Sequence, residues 1–63
     1  MIHIWTYTIR NWEYRIDLGT DGRYYVQETN REAGSFEQNS KSFPTETAAL
    51  HWCLTKLEQH SKD

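Results

Sequence analysis

The amino-acid sequence predicts an α+β fold, in which three to four antiparallel β-strands pack on one C-terminal α-helix. Apolar and polar residues alternate strictly over 12–18, which is typical of a strand with one buried face. Apolar residues then recur at helical spacing after Pro44. The 63 residues suffice for one domain, covering 1–63, and only a small core.

The second and third strands are predicted at 12–18 and 23–29. Asp21-Gly22 lies between them, and both residue types tolerate the positive φ of a tight hairpin turn. The return segment is rich in β-forming residues, among them Tyr24, Tyr25 and Val26. We therefore expect a hairpin at the centre of the sheet.

The first strand is predicted at 2–9 and has apolar residues at odd and even positions. Regular alternation would put Trp5, Tyr7 and Ile9 on one face and Ile2 and Ile4 on the other. A sheet covered by one helix needs only one apolar face. The strand therefore predicts additional cover, from the chain's own loops, a second copy or a partner.

A short edge strand is predicted at 35–40, after a loop in which Gly34 is the expected left-handed residue. The helix is predicted at 46–59, because Thr45 is a favourable N-cap and Glu46 suits the positive end of the helix dipole. Trp52 lies away from the centre of the apolar stripe. The stripe consists of Ala49, Leu50, Cys53, Leu54 and Leu57.

The sequence predicts no catalytic residue, no metal site and no cofactor, so the chain is expected not to be an enzyme. Cys53 lies within the apolar stripe, where a buried, inert thiol is the ordinary outcome. It is the only cysteine, and the helix directs it away from His51, so the two cannot share a metal ion. His51 is expected in solvent, His3 beside Trp5, and His60 near a fraying helix end. A domain this small rarely has a cleft for a small-molecule substrate.

Protein binding is the leading functional hypothesis. The candidate contact residues have large apolar side chains that no predicted element of the chain is expected to cover. They are Ile2, Ile4, Trp5 and Trp52. They predict a homodimer or a complex with a protein partner through the first strand and the sheet surface. Small phage or bacterial accessory proteins include modules of this kind. For Trp52, a flanking residue that covers the edge of the core is an equal alternative.

DNA binding is the second hypothesis. Arginine, aromatic and amide side chains can read or stack on bases, and the outer sheet face with its adjoining loop offers Arg15, Arg23, Tyr25, Gln27 and Arg31. An ordinary polar sheet face is the simpler interpretation, because Glu13, Asp17 and Glu28 are expected to oppose phosphates there. The formal net charge of −2 also argues against binding to a phosphate backbone.

No apolar run approaches the roughly 20 residues that cross a membrane. The first nine residues lack the basic lead of a signal peptide. A single cysteine without a possible bridge suits a reducing compartment. We therefore expect a soluble, cytoplasmic protein.

The helix entry also carries a family resemblance. The pattern Phe43-x-Thr45-x-x-x-Ala49-x-x-Trp52, after Trp12-x-Tyr14-x-Ile16 and Gly22-Arg23, resembles the AP2-like arm-binding domains of phage and transposon integrases over residues 12–57. The resemblance implies a three-stranded sheet on a C-terminal helix and DNA read by the sheet. It also implies that Phe43 fills the core, Thr45 caps the helix and Ala49 permits close packing.

The pattern is also similar to YegP-like βββα repeats, which imply no chemistry. The chain departs from the integrase domains at two segments, Gln27-Glu28-Thr29 and Phe36-Glu37-Gln38. Those domains carry positive charge on the sheet, and these segments do not supply it.

Overall fold

Four strands followed by one helix form the fold in a computed structural model, which describes residues 1–32 and 37–61. The strands pair in the order β1-β2-β3-β4, and every neighbouring pair is antiparallel. The predicted α+β fold is confirmed, with four strands. The elements are β1 (Ile2–Ile9), β2 (Trp12–Leu18), β3 (Tyr24–Asn30), β4 (Glu37–Phe43) and α1 (Glu46–Ser61).

The turn between β2 and β3 takes Arg23 out of the predicted third strand. The Gly19 amide donates to the Arg23 carbonyl at 2.9 Å, and the Gly22 amide donates to the Gly19 carbonyl at 3.1 Å. Gly22 has a φ of 82°, which a residue with a Cβ adopts only under strain. Asp21 Oδ1 also accepts from the Arg23 amide at 3.0 Å, so the predicted Asp-Gly turn is present.

The fourth strand runs further toward the helix than predicted. Its pairing with β3 continues until Phe43 lies opposite Tyr24, although most of the segment is polar. Backbone pairing with β3 therefore outweighs the low β-propensity of this segment. The predicted start at Ser35 and the predicted left-handed Gly34 lie outside the described residues.

The expectation that β1 has two apolar faces is wrong, because a bulge interrupts the strand between His3 and Trp5. Ile2 pairs with Leu18 and Trp5 pairs with Ile16, so both lie on the face that α1 covers. A bulge inserts one residue into one strand and reverses the facing of everything before it. It therefore brings Ile2 to the helix side.

His3 moves to the outer face for the same reason. It pairs with Asp17, is exposed and hydrogen-bonds the Thr6 hydroxyl. The expected position of His3 beside Trp5 on one face is therefore wrong.

The core lies between the two central strands and the middle of α1. Ala49 is completely buried, and its small side chain lets the helix approach the sheet closely. Cys53 is buried as predicted, but Leu54 is 52% exposed and does not belong to the buried stripe. The buried apolar residues are Tyr14, Ile16, Val26, Ala49, Cys53 and Leu57.

Both ends of α1 are held by side chains. Thr45 caps the first turn, since its Oγ1 accepts from the Ala48 amide at 3.1 Å and its carbonyl accepts from the Ala49 amide at 3.2 Å. At the other end the helix continues to Ser61, two residues beyond the prediction. His60, in this last turn, contacts Tyr14 and Trp12 of the sheet.

Candidate interaction surface

The four predicted interface residues fall into two separate places. Ile2, Ile4 and Trp5 lie on β1, and Ile4 and Trp5 line a shallow depression with Leu50 of the helix. Trp52 lies toward β4 instead, with its ring 6.3 Å from the Phe43 ring. The structure therefore does not bring Trp52 together with the other three.

Trp52 is a partly buried residue at the flank of the core. Its indole also meets the Tyr14 ring edge-on, with a centroid separation of 6.0 Å. The Lys41 and Lys56 ammonium groups lie 5.5 Å and 5.4 Å from the indole centroid. These contacts favour the interpretation of Trp52 as cover for the core edge.

A groove of about 560 Å³ runs between β1 and the C-terminal half of α1, and we call it the edge groove. Tyr7 on its β1 side is 51% exposed, and Leu54 on its helix side is 52% exposed. Trp5 and Tyr7 stack along its floor with centroids 6.1 Å apart. The lining residues are Trp5, Tyr7, Ile9, Leu54, Leu57, Glu58 and Ser61.

The groove is open because the fully buried core lies over β2 and β3. Tyr14, Ile16 and Val26 are covered almost completely, whereas every residue of β1 stays at least partly accessible. One helix about 10 Å wide cannot cover four strands spaced about 4.8 Å apart. Apart from Met1, the large exposed apolar side chains of the described residues lie on β1 and on the helix side that faces it, and a second groove lies between Phe43 and Trp52 on the other side of α1.

A buried polar cluster lies under the C-terminal turn of α1. The Tyr14 hydroxyl donates to Glu28 Oε2 at 2.6 Å, and Asn39 Nδ2 donates to Glu28 Oε1 at 3.3 Å. His60 Nε2 is 2.8 Å from the same hydroxyl oxygen, and the His60 ring stacks on Trp12 at 4.4 Å. Since the Tyr14 hydrogen points to Glu28, His60 Nε2 must carry a hydrogen and donate.

Tyr14 in the polar cluster and the neighbouring Cys53 both stay protonated near neutral pH, which suits a structural contact between helix and sheet. Burial first, and then the hydrogen bond and charge of Glu28, raise the pKa of Tyr14 far above its ordinary value, so the phenol stays protonated. Burial also raises the pKa of the Cys53 thiol to about 11, with a smaller contribution from the Glu28 charge. Neither group is available as an anionic nucleophile near neutral pH.

The predicted DNA-contact residues do gather on or beside the outer sheet face, but acidic and hydroxyl groups engage them. Arg15 Nε lies 3.1 Å from both Asp17 carboxylate oxygens, and Arg23 bonds the Ser42 hydroxyl at 3.2–3.3 Å. Gln27 pairs with Arg15 across β2 and β3. Arg31 reaches Glu13 at 3.8 Å.

Tyr25 donates to Asp21, which lowers the pKa of Asp21 and raises the pKa of Tyr25. Asp21 is exposed and Tyr25 is only partly buried, so solvent weakens this interaction. The expectation that Glu28 lies among these outer groups is wrong, because Glu28 pairs with Tyr14 on the helix side.

Two sets of residues were missed by the sequence interpretation. Glu28 lies two residues after Val26, and His60 lies three after Leu57, so strand and helix periodicity could have placed both on the core side. For Tyr7 and Leu54 the sequence holds no such signal. Their exposure depends on where the helix lies across the sheet.

Within residues 1–32 and 37–61, no helix is long and apolar enough to cross a membrane. In the same residues no three His, Cys, Asp or Glu side chains come together as a metal site would require. Comparisons with models of protein families, with curated proteins and with solved structures give no match. The resemblance to AP2-like and YegP-like domains thus stays a prediction.

Proposed function

We propose that this chain is a non-enzymatic interaction module that binds a second copy or another protein through the free edge of β1 and the edge groove. The observation that carries the proposal is the exposure of Tyr7 and Leu54 beside an edge strand. Large apolar side chains on an uncovered strand are typical of a surface that another chain covers. A cytoplasmic location, suggested by one buried free thiol, is part of the proposal.

The two edges of the sheet differ in how they are protected from pairing. Proteins commonly protect edge strands with charges, proline or bulges. The β4 edge contains Lys41 within a polar sequence. The β1 edge contains no charged residue from Ile2 to Ile9, and its bulge ends before Tyr7. The difference supports β1 as the strand that accepts a partner.

An enzymatic role has little support from the polar cluster. Catalysis by Tyr14 or Cys53 would need an ionisable group that a substrate can reach. Both side chains are completely buried, and the pKa of each is raised. The cluster is better explained as an attachment between helix and sheet.

The proposal is tested with two variants that add the same charge to opposite edges. Tyr7→Glu puts a carboxylate on the β1 edge, and Ser40→Glu puts one on the middle of β4, at a position that is also exposed. Sedimentation equilibrium measures self-association, and affinity capture from the producing cell measures binding of other chains. Circular dichroism establishes that both variants fold.

We expect association to weaken by about 100-fold or more in Tyr7→Glu, because an aromatic contact is lost and a charge must be desolvated. Ser40→Glu should associate as the wild type does. The proposal would be contradicted if wild type, Tyr7→Glu and Ser40→Glu all self-associated equally and all bound every captured protein equally.

Sequence-reading DNA binding is the second candidate. It draws on the common outer face of Arg15, Tyr25 and Gln27, and it is opposed by the carboxylates that bind Arg15 and Tyr25. It predicts duplex binding that weakens with salt and with Arg23→Ala. The absence of binding at low salt would end this hypothesis.

A further inference from the structure

We propose that the occupant of the β1 edge is a second copy of this chain, paired antiparallel about a two-fold axis that passes beside Tyr7. This inference rests on the proposed function and makes it specific. In this arrangement each residue of the β1 edge faces a defined residue of the other copy, and both helices lie on the same face of the joined sheet.

The register follows from the facing of the β1 side chains. In an antiparallel pair, residues directly opposite each other lie on the same face. A symmetric pair must therefore have its axis at a residue, not between two residues. Any axis between residues would put a helix-side residue opposite an outer-face residue.

The bulge then selects the position of the axis. It lies between His3 and Trp5, so the regular part of β1 is Trp5–Ile9. Only an axis at Tyr7 pairs each of these five residues with a residue from the same regular segment of the other copy. Every other axis leaves part of the segment unpaired or brings in the bulge.

In this register the facing pairs are chemically compatible. Trp5 lies opposite Ile9 of the other copy, and Tyr7 lies opposite its own equivalent, on the helix side. Thr6 lies opposite Thr8 on the outer face. Aromatic–β-branched and Thr–Thr pairs are favourable across antiparallel strands, and no charges meet.

The symmetry also brings the two edge grooves together. A two-fold axis perpendicular to the sheet keeps both helices on the same side, so each Leu54 points across the axis toward the other groove. The resulting eight-stranded sheet would carry two helices with an apolar seam between them.

The exposed apolar side chains supply roughly 600 Å² over both copies, which is more than half of the area that the smallest specific interfaces bury. Ile4, Tyr7 and Leu54 are 37%, 51% and 52% exposed. With a full area of about 150–250 Å² each, they contribute roughly 300 Å² per copy. A specific interface buries at least about 1,000 Å² over both partners. The exposed Thr6 and Thr8 side chains and the backbone of the strand supply the remainder.

The register is tested by disulfide formation, with oxidised glutathione as the oxidant. Opposite residues have Cα atoms about 4.5–5.5 Å apart, within disulfide range, whereas positions offset by two lie about 7–8 Å apart. We expect Tyr7→Cys to form covalent dimers alone. Thr6→Cys and Thr8→Cys should each fail alone and form a mixed dimer when combined. Wild type should not cross-link, because Cys53 is buried.

The outcomes separate this inference from the proposed function. If wild type is a dimer but the cysteine variants cross-link at other pairs of positions, the register is overturned. A wild-type monomer at millimolar concentration that still loses a bound chain in Tyr7→Glu would overturn the second copy as occupant and leave the β1 surface standing. If Tyr7→Cys does not fold, the Thr6 and Thr8 variants still decide the register, because their side chains lie on the outer face.

Discussion

Replacing Tyr14 with phenylalanine removes one oxygen atom from the polar cluster and leaves the packing of the ring intact. The lost hydroxyl donates to Glu28 at 2.6 Å and accepts from His60 at 2.8 Å. Glu28 is 9% exposed, and among the residues that the structure describes its carboxylate would keep only the 3.3 Å hydrogen bond from Asn39. A buried carboxylate would therefore lose its strongest donor.

The expected cost is about 2–3 kcal/mol. A hydrogen bond to a charged group contributes about 1.5–3 kcal/mol, and the His60 bond adds less because water can reach that partly exposed ring. A domain of this length has a total stability of roughly 3–9 kcal/mol. The loss corresponds to a fall in Tm of about 10–20 °C.

Urea denaturation of Tyr14→Phe, followed by circular dichroism, measures this cost. Tyr24→Phe is the matched control, because Tyr24 lies on the same helix side of the sheet but is only partly buried, and it is expected to change stability by less than about 0.5 kcal/mol. In the double variant with Glu28→Gln, the cost of losing the hydroxyl should shrink. A loss below about 0.5 kcal/mol for Tyr14→Phe would refute the view that the hydrogen bonds of the polar cluster stabilise the fold.

Three further results are expected. Gly22→Ala should lower the free energy of unfolding by about 1–2 kcal/mol in urea denaturation, because the φ of Gly22 is 82° and an added Cβ would meet no neighbouring atom. Gly22→Asn should cost clearly less, and equal costs would exclude backbone strain as the cause. The raised pKa of Tyr14 contributes stability that is fully present below the unfolded value of 10.0 and is lost as pH rises toward the folded value, by about 1.4 kcal/mol per unit. The stability of Tyr14→Phe should therefore fall less steeply than that of wild type between pH 10 and 11, and parallel profiles would contradict this. Cys53 should react with a thiol reagent at pH 8 only when the protein unfolds, given complete burial and a pKa of about 11, so rapid labelling of the native protein would show that the helix opens locally.

The secondary structure was largely predictable from local patterns. Alternation in 12–18, the Asp21-Gly22 turn and the Thr45 cap each specify an element through residues that are close in sequence. The errors occurred where pairing with a neighbouring strand decided the outcome. The polar segment up to Phe43 is a strand because β3 lies beside it, and the β1 bulge is apparent only from its pairing with β2.

The positions of the exposed apolar side chains were predictable only in part. Uncovered apolar residues on the first strand pointed to β1, and Ile4 and Trp5 do line exposed surface there. Tyr7 and Leu54 were missed, because both fit an apolar pattern that normally indicates burial. Trp52 lies with Phe43 on the other side of the helix, which depends on the rotation of α1 over the sheet.

By itself, the sequence determined the central hairpin and the start of the helix, because hydrophobic periodicity, turn residues and caps act over a few neighbouring positions. Only the tertiary structure decided which apolar residues remain uncovered. A single helix can cover the central strands but not the outer edge of β1, and a one-residue bulge reverses the facing of the residues before it. Both effects depend on long-range pairing and packing, so the exposed edge that supports the proposed function emerges only when the elements are assembled.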